Sequence, residues 1–235
     1  MSQIEQSAVR NRLLTSLPST DFKHLAASLT PVTLSLKQFL VETDELIEAA
    51  YFIETGIISY LQYLESGEAL EIGLIGSEGM LGLPLILGAD RAPVGAMVQL
   101  KGKALRIGPE ALRQALNGSE ALRTRLLRYM QAFHIQVSQT AVCNSHHTLE
   151  ERLIRWLLMA HDRAGNDRFP MTHEFMSLML GVRRAGVTVT AGALKQAGLI
   201  QYAKGCVTVL DRPGLEAAAC ECYDDVQRHF EELLR

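Results

Sequence analysis

The chain is short of cysteine and of long apolar runs. Its 235 residues include four cysteines, the first at position 143, which argues against a disulfide framework and favours a reducing, cytoplasmic setting. No apolar run approaches the roughly 18 residues that a membrane helix requires. Arg10 and Arg12 interrupt the stretch in which a signal peptide would have its apolar core. We therefore expect a cytoplasmic protein with no membrane contact.

Common catalytic and phosphate-binding sequence motifs are also missing. The sequence contains no Ser/His/Asp triad string, phosphate-binding loop or HExxH motif, which predicts that the chain is not an enzyme and has no catalytic residue. Cys143, His146 and His147 do not form a complete ligand set, and a capping and hinge role accounts for them. Cys220 and Cys222 would lie on different sides of a helix. We therefore predict neither a metal site nor a cofactor.

The first half of the sequence indicates β structure. Hydrophobic residues make up 48% and charged residues 21% of the chain, the ordinary mix of a soluble globular protein. Short apolar or alternating runs follow one another between residues 32 and 107, and ten of the 18 glycines lie from Gly56 to Gly108. Short strands separated by glycine are typical of a barrel or jelly roll, because glycine supplies turns with positive φ.

Residues 119–144 have apolar side chains spaced three and four apart, which predicts one long helix. Because a small barrel cannot easily cover so long a stripe, its heptad-like seam indicates a partner helix from a second subunit. The seam consists of Leu122, Leu126, Tyr129, Phe133, Gln136, Thr140 and Cys143. The alternative is an ordinary core helix.

The stretch after Pro170 predicts a DNA-binding motif. Thr172 caps a first helix that Gly181 ends, and a second helix follows at once, which is the helix-turn-helix layout. Lys204 and Gly205 then form the turn of a hairpin, or wing. Arginine at the outward start of the second helix can contact a guanine edge, and threonine a phosphate or a thymine methyl group. The outward residues are Arg183, Arg184, Ala185, Thr188 and Val189. The alternative, a plain helical hairpin, leaves the two arginines and the basic wing tip unexplained.

These strings resemble the Crp/Fnr family of bacterial transcription regulators. The most specific parts are GVRRAGVTVTAGALKQAGLI and YFIETGIISY…EIGLIGSEGMLGLPLILG, and DRPGLEAAACECY looks like a hallmark of one large subgroup. The resemblance covers nearly the whole chain and implies an α+β architecture. Its parts are a cyclic-nucleotide-binding-like jelly-roll sensor domain at 1–118, a dimerisation helix and hinge at 119–145, a winged helix-turn-helix domain at 146–212 and a C-terminal helical extension at 213–235.

The resemblance implies roles for single residues of the DNA-binding part. Arg184 matches the arginine that reads guanine, and Thr172 matches the phosphate-binding residue at the start of the first helix. Ala185 stands where the family often has glutamate, and Val189 where it has a second arginine. The target sequence is therefore expected to differ from the best-known family sites. The residues expected to contact DNA most strongly are Arg183, Arg184, Thr188 and the wing residue Lys204.

The effector side departs further from the family. Members that bind cyclic nucleotides hold the ribose with a Gly-Glu pair and the cyclic phosphate with an Arg-Ser pair. This chain has Leu83 in place of the glutamate and Ala92 in place of the serine. Leucine cannot accept a hydroxyl hydrogen bond, so cyclic AMP is not the expected effector. The residues implied to line a pocket are Gly82, Leu83, Arg91, Ala92, Val137 and Ser138.

These observations predict a sequence-specific DNA-binding transcription regulator that acts as a homodimer on palindromic double-stranded DNA. An unidentified effector in the jelly-roll domain would change the spacing of the two recognition helices. RNA polymerase is a further partner that the resemblance implies. The alternative is a ligand-binding regulatory protein that has lost DNA binding, against which Arg183 and Arg184 argue. The effector, the operator and the direction of regulation stay open.

Overall fold

A computed structural model of the chain describes residues 4–235. The N-terminal part opens with a 3-10 turn at Gln6–Ala8 and two short helices, α1 (Arg12–Thr15) and α2 (Ser19–Ala26). The short helix α3 (Leu83–Ile86) lies within the β region that follows. The strands of that region are β1 (Thr30–Leu34), β2 (Phe39–Val41), β3 (Ala50–Tyr63), β4 (Ala69–Ile75), β5 (Met80–Leu81) and β6 (Gly95–Ile107).

These six strands form one antiparallel sheet of order β1-β6-β3-β4, with β2 beside β6 and β5 beside β3. The two longest strands approach closely where both carry glycine. A Cβ at Gly56 would lie 2.5 Å from the Leu100 carbonyl oxygen, and one at Gly102 would lie 1.9 Å from that of Thr55. Only glycine fits at such distances, so the glycines predicted from the sequence to punctuate strands also allow these two strands to pair. The predicted β-rich N-terminal domain is confirmed.

Two helices follow the sheet, α4 (Pro109–Gly118) and α5 (Glu120–His146). Ser119 caps α5, because its side chain accepts a hydrogen bond from the backbone N–H of Leu122 at 3.0 Å. The 27 residues of α5 span about 40 Å, which confirms the predicted long helix. Across residues 4–235, no helix combines the length and the apolar character that crossing a bilayer requires.

The C-terminal part is a winged helix-turn-helix followed by two further helices. Its elements are α6 (Leu149–Ala164), β7 (Arg168–Pro170), α7 (His173–Leu180), α8 (Arg184–Gln196), β8 (Ile200–Ala203), β9 (Cys206–Val209), α9 (Arg212–Ala217) and α10 (Glu221–Leu233). The small antiparallel sheet has the order β7-β9-β8. A capping box, in which Thr148 and Glu151 each bond to the other's backbone N–H, starts α6.

The last helix, α10, turns back along α5. Its buried face includes Val226 and Phe230, and the Phe230 ring lies 6.4 Å from that of Tyr129 on α5. Arg125 of α5 donates to the Leu234 carbonyl oxygen at 2.7 Å. The C-terminal extension is therefore helical as predicted, and it covers part of α5.

The apolar seam of α5 is covered by the chain itself. The expectation that this seam packs against a helix of a second subunit is therefore wrong. All seven seam residues are buried in the single chain. Tyr129 donates to the Met80 carbonyl oxygen at 3.2 Å, and Phe133 meets the Tyr60 ring edge-on at 5.3 Å between centroids. The Gln136 side chain exchanges two hydrogen bonds of 3.1 Å with the backbone of β4. The β domain and α10 thus bury the stripe from two sides, so it offers nothing to a second subunit.

The N-terminal and C-terminal parts share a buried interface. Trp156 of α6 donates its indole N–H to Glu71 of β4 at 2.6 Å. Arg163 of α6 forms an ion pair of 2.7 Å with Glu78, and both side chains are largely buried. Burial raises the pKa of Glu71 to about 7, an effect that the hydrogen bonds and nearby arginines only partly offset. Strand β4 of the N-terminal domain is therefore tied to α6, the helix that leads into the helix-turn-helix.

Candidate DNA interface

The helix-turn-helix begins and turns where the sequence predicts. Thr172 caps α7 by accepting a hydrogen bond from the backbone N–H of Phe175 at 3.1 Å. Gly181 ends α7 with a φ of 62°, in the left-handed region that favours glycine. A Cβ at Gly181 would lie 2.9 Å from the Leu70 side chain of β4, so the turn itself touches the N-terminal domain.

The second helix, α8, presents the predicted face to solvent. Its buried side is formed by Val187, Ala191 and Leu194, which pack into the core of the C-terminal domain. The exposed side carries all five residues predicted to face outward, which are Arg183, Arg184, Ala185, Thr188 and Val189. Val189 is the most exposed large apolar side chain described, at 74%. An apolar group so placed is available to meet a thymine methyl group.

The wing places a lysine beside the first helix of the motif. Lys204 and Gly205 have φ values of 51° and 70° and form the tight turn between β8 and β9. The backbone N–H of Met171 donates to the Gly205 carbonyl oxygen at 2.7 Å, which holds the wing tip next to Thr172. Lys204 is exposed. The two elements predicted to contact DNA backbone therefore lie together.

His173 and Tyr202 connect the two helices to the wing, and neither residue was predicted from the sequence. The His173 ring stacks on Tyr202 of β8 at 4.0 Å between centroids, and its Nδ1 lies 3.1 Å from the hydroxyl of Thr188. That hydroxyl donates to the Arg184 carbonyl oxygen at 3.0 Å. Burial, together with the charge of Arg184, lowers the pKa of His173. The position next to the Thr172 cap was the only sequence signal, because the stack joins residues far apart in the chain.

The charges of this surface are available to a ligand. Within residues 4–235, none of Arg183, Arg184 and Lys204 forms an ion pair with a carboxylate. Exposed guanidinium groups of this kind can make bidentate hydrogen bonds to guanine or to phosphate. The surface is therefore suited to a polyanion.

The residues implied to hold an effector are less favourably placed. Leu83 is 7% exposed and Ala92 is 2% exposed, and both belong to the hydrophobic core of the β domain. Gly82 has a φ of 110°, and a Cβ there would lie 2.9 Å from that of Ala50. Arg91 donates to the Asp44 carbonyl oxygen at 2.6 Å. Leu83 and Ala92 thus pack in the core, Gly82 allows a close approach to Ala50, and the Arg91 side chain is bonded to the backbone.

Val137 and Ser138 complete the implied effector set on α5. Val137 is half-buried and packs toward Gly73 of β4, whereas Ser138 is exposed. Two cavities stand out among residues 4–235, one of about 220 Å³ between α2, α4 and α5 and one of about 590 Å³ beside α9 and α10. Neither cavity is lined by any of the six implied residues. The structure does not gather them around either space.

Four possible metal ligands do come together, which the separate cysteine patterns of the sequence did not indicate. Single donor atoms of Cys143, His147, Cys220 and Cys222 all lie within 4.8 Å of one another. Two come from the end of α5 and two from the start of α10. The sequence carried no signal for this clustering, because the whole winged helix-turn-helix lies between the two pairs in the chain.

Comparison with known proteins finds the same helix-turn-helix and the same overall fold. Residues 151–218 match the family described as Crp-like helix-turn-helix domain. FixK2 from Bradyrhizobium japonicum is structurally similar with a TM-score of 0.71 and 16% identity, over 82% of this chain and 98% of that chain. A CRP/FNR-family transcriptional regulator from Thermus thermophilus is similar with a TM-score of 0.66 and 19% identity, over 81% and 98%. The global regulator CLP from Xanthomonas campestris is similar with a TM-score of 0.67 and 13% identity, over 83% and 100%. A search of curated proteins found no match.

The fold and the exposed helix define a winged helix-turn-helix protein with a β-rich N-terminal domain. Residues 151–218 thus match a Crp-like helix-turn-helix domain, and the chain shares its fold with solved structures that include a CRP/FNR-family transcriptional regulator.

Proposed function

We propose that the protein binds double-stranded DNA in a sequence-specific manner and regulates transcription. The observation that carries this proposal is the exposed start of α8, where Arg183 and Arg184 lie side by side and form no ion pair with a carboxylate of residues 4–235. A recognition helix enters the major groove with its N-terminal residues against base edges. Thr172 and Lys204 flank that start and are proposed to hold the phosphate backbone.

Selection of bound duplexes from a random pool tests this proposal. We expect an enriched motif with two-fold symmetry and half-sites about 34–36 Å apart, one turn of the double helix. The double variant Arg183→Ala with Arg184→Ala should abolish the enrichment, whereas Arg113→Ala, an exposed arginine of α4, should leave it intact. A wild-type protein that enriches no motif contradicts the proposal and favours a regulator that acts through protein contacts.

We further propose a homodimer that uses a different face of α5 from the predicted seam. Leu127 and Val142 are 42% and 46% exposed, and Gln131, His134 and Ser138 are exposed between them. Their spacing of three and four residues continues along the helix and is suited to a second helix. In equilibrium sedimentation, Leu127→Asp should shift wild-type dimer toward monomer. Leu87→Asp, at an exposed leucine outside α5, is the control.

We propose that cyclic AMP is not the effector. Leu83 and Ala92 fill core positions, and neither supplies the carboxylate or the hydroxyl that a ribose and a cyclic phosphate need. Isothermal titration should show no micromolar binding of cyclic AMP, and DNA affinity should not rise when it is added. Micromolar affinity would contradict this proposal while leaving DNA binding untouched. Contact with RNA polymerase and a cytoplasmic location stay predictions.

A further inference from the structure

The cluster at the end of α5 has the donor types and the spacing of a tetrahedral metal site. The Cys143 and Cys220 sulfurs are 3.7 Å apart, and the Cys222 sulfur lies 3.5 Å from Nδ1 of His147. Zinc binds sulfur at about 2.3 Å and imidazole nitrogen at about 2.0–2.1 Å, so a tetrahedral ion sets neighbouring S···S and S···N distances of about 3.8 and 3.6 Å. Both measured separations agree with these values.

Groups around the donors hold them in place. Nε2 of His147 lies 3.4 Å from a carboxylate oxygen of Glu221, the arrangement in which a metal-binding histidine donates its other N–H to a carboxylate. Gln139 donates a hydrogen bond of 3.1 Å to the sulfur of Cys222. Such outer contacts fix the direction of the donor atoms before an ion arrives.

A buried cation is available to balance the charge. Three thiolates, one neutral imidazole and Zn²⁺ together carry one net negative charge. Arg155 is 5% exposed and donates to the hydroxyl of Thr140, which precedes Cys143 by one turn of α5. Its Nε has no acceptor among residues 4–235. A guanidinium so placed offsets an anionic centre that would otherwise be costly to bury.

We propose that Cys143, His147, Cys220 and Cys222 bind one Zn²⁺ ion as a structural site. On binding, each thiol loses its proton to solvent and no electron is transferred. The four donor atoms all lie within 4.8 Å of one another, which suits one ion better than a two-iron cluster, whose ligands are divided between two metals. A disulfide would involve only two of the three cysteines and would not explain why the His147 imidazole lies between the Cys222 sulfur and the Glu221 carboxylate.

The position of the site gives it a structural role that goes beyond DNA binding. His147 ends α5 at the hinge that leads into the DNA-binding domain, and Cys220 is the first residue before α10. The ion therefore links the start of α10 to the end of α5, which are the two ends of the segment that contains the DNA-binding domain. Loss of the ion is expected to release α10 from α5 and to lower the thermal transition.

Metal analysis of the reduced, full-length protein tests the proposal directly. We expect one zinc per chain after growth with zinc, and Co²⁺ exchanged into the site should give the absorption of a tetrahedral thiolate complex. Cys222→Ser should lose the metal. Cys206→Ser is the matched control, because Cys206 lies on β9 outside the cluster and should retain it.

Histidine variants separate coordination from simple packing. Zinc accepts sulfur in place of nitrogen, so His147→Cys should retain the metal whereas His147→Ala should lose it. Glu221→Gln should weaken zinc affinity by about 10–100-fold, as expected for a carboxylate that orients a ligand.

Three outcomes would overturn the assignment. They are a reduced wild-type protein that binds neither Zn²⁺ nor Co²⁺, iron in place of zinc, and equal metal loss in Cys206→Ser and Cys222→Ser. Each is read from metal content alone. A failure here therefore leaves the DNA-binding proposal standing, and a failure of the duplex selection leaves the zinc proposal standing.

Discussion

The DNA face and the implied effector side differ in how their residues meet solvent. At the start of α8, Arg183 and Arg184 are exposed and have no carboxylate partner in the described part of the chain, whereas Leu83 and Ala92 belong to the core of the β domain. The two arginines are adjacent in the sequence at the start of one helix, so their geometry is local. The implied effector set depends on how strands and α5 pack together. Resemblance is therefore a better guide to the recognition helix than to the effector.

The largest effect is expected on the free energy of unfolding, when a buried and an exposed side chain of α5 are each replaced by aspartate. Phe133→Asp should lower the free energy of unfolding by about 4 kcal/mol or more, because it removes a buried ring and buries a charge. Leu127→Asp, on the exposed face, should change it by about 0.5 kcal/mol or less when monomers are compared. Urea denaturation of dilute protein measures both. A folded, monomeric Phe133→Asp protein would show that the original seam faces a partner after all.

The next effect concerns the interface between the two domains. The pKa of Glu71 is about 7 in the folded chain against an ordinary value of 4.5. The folded state therefore holds this proton more tightly, and the stabilisation that results is complete below pH 4.5 and is lost as the pH rises through 7. The loss amounts to about 3 kcal/mol.

Glu71→Gln should remove this pH dependence, because the amide stays neutral and can still accept the indole N–H of Trp156. Urea denaturation between about pH 4.5 and 8 would compare it with the wild type and with Glu68→Gln, an exposed acid on the same hairpin. Parallel pH profiles for the wild type and Glu71→Gln would show that folding does not raise the pKa of Glu71.

At the DNA face, Arg184→Ala should cost about 1–3 kcal/mol of binding free energy and relax specificity at one base pair of each half-site. Titration of duplexes with every base at that position measures both quantities. A uniform loss over all duplexes would show that Arg184 contacts phosphate and not a base.

Lys204→Ala should have the smallest effect. It should weaken all duplexes alike and reduce the slope of log affinity against log salt by about one, since one phosphate contact is lost. A change in base preference with an unchanged salt slope would place the wing in a groove.

One expectation failed because periodicity defines a face of a helix but not what covers that face. Leu122 to Cys143 do form one stripe of α5, as their spacing predicts, yet β4 and α10 bury it. The cysteines were judged in separate groups because Cys143 and Cys220 are 77 positions apart, and only the return of α10 along α5 brings their sulfurs together.

The sequence by itself determined the local features of this protein. The Thr172 cap, the left-handed Gly181 and the outward arginines of α8 follow from hydrogen bonding, backbone conformation and helical spacing within about two turns. Tertiary structure decided which face of α5 stays exposed, that His173 stacks on Tyr202, and that Cys143, His147, Cys220 and Cys222 converge. Those outcomes depend on contacts between elements far apart in the chain, and residue spacing carries no information about them.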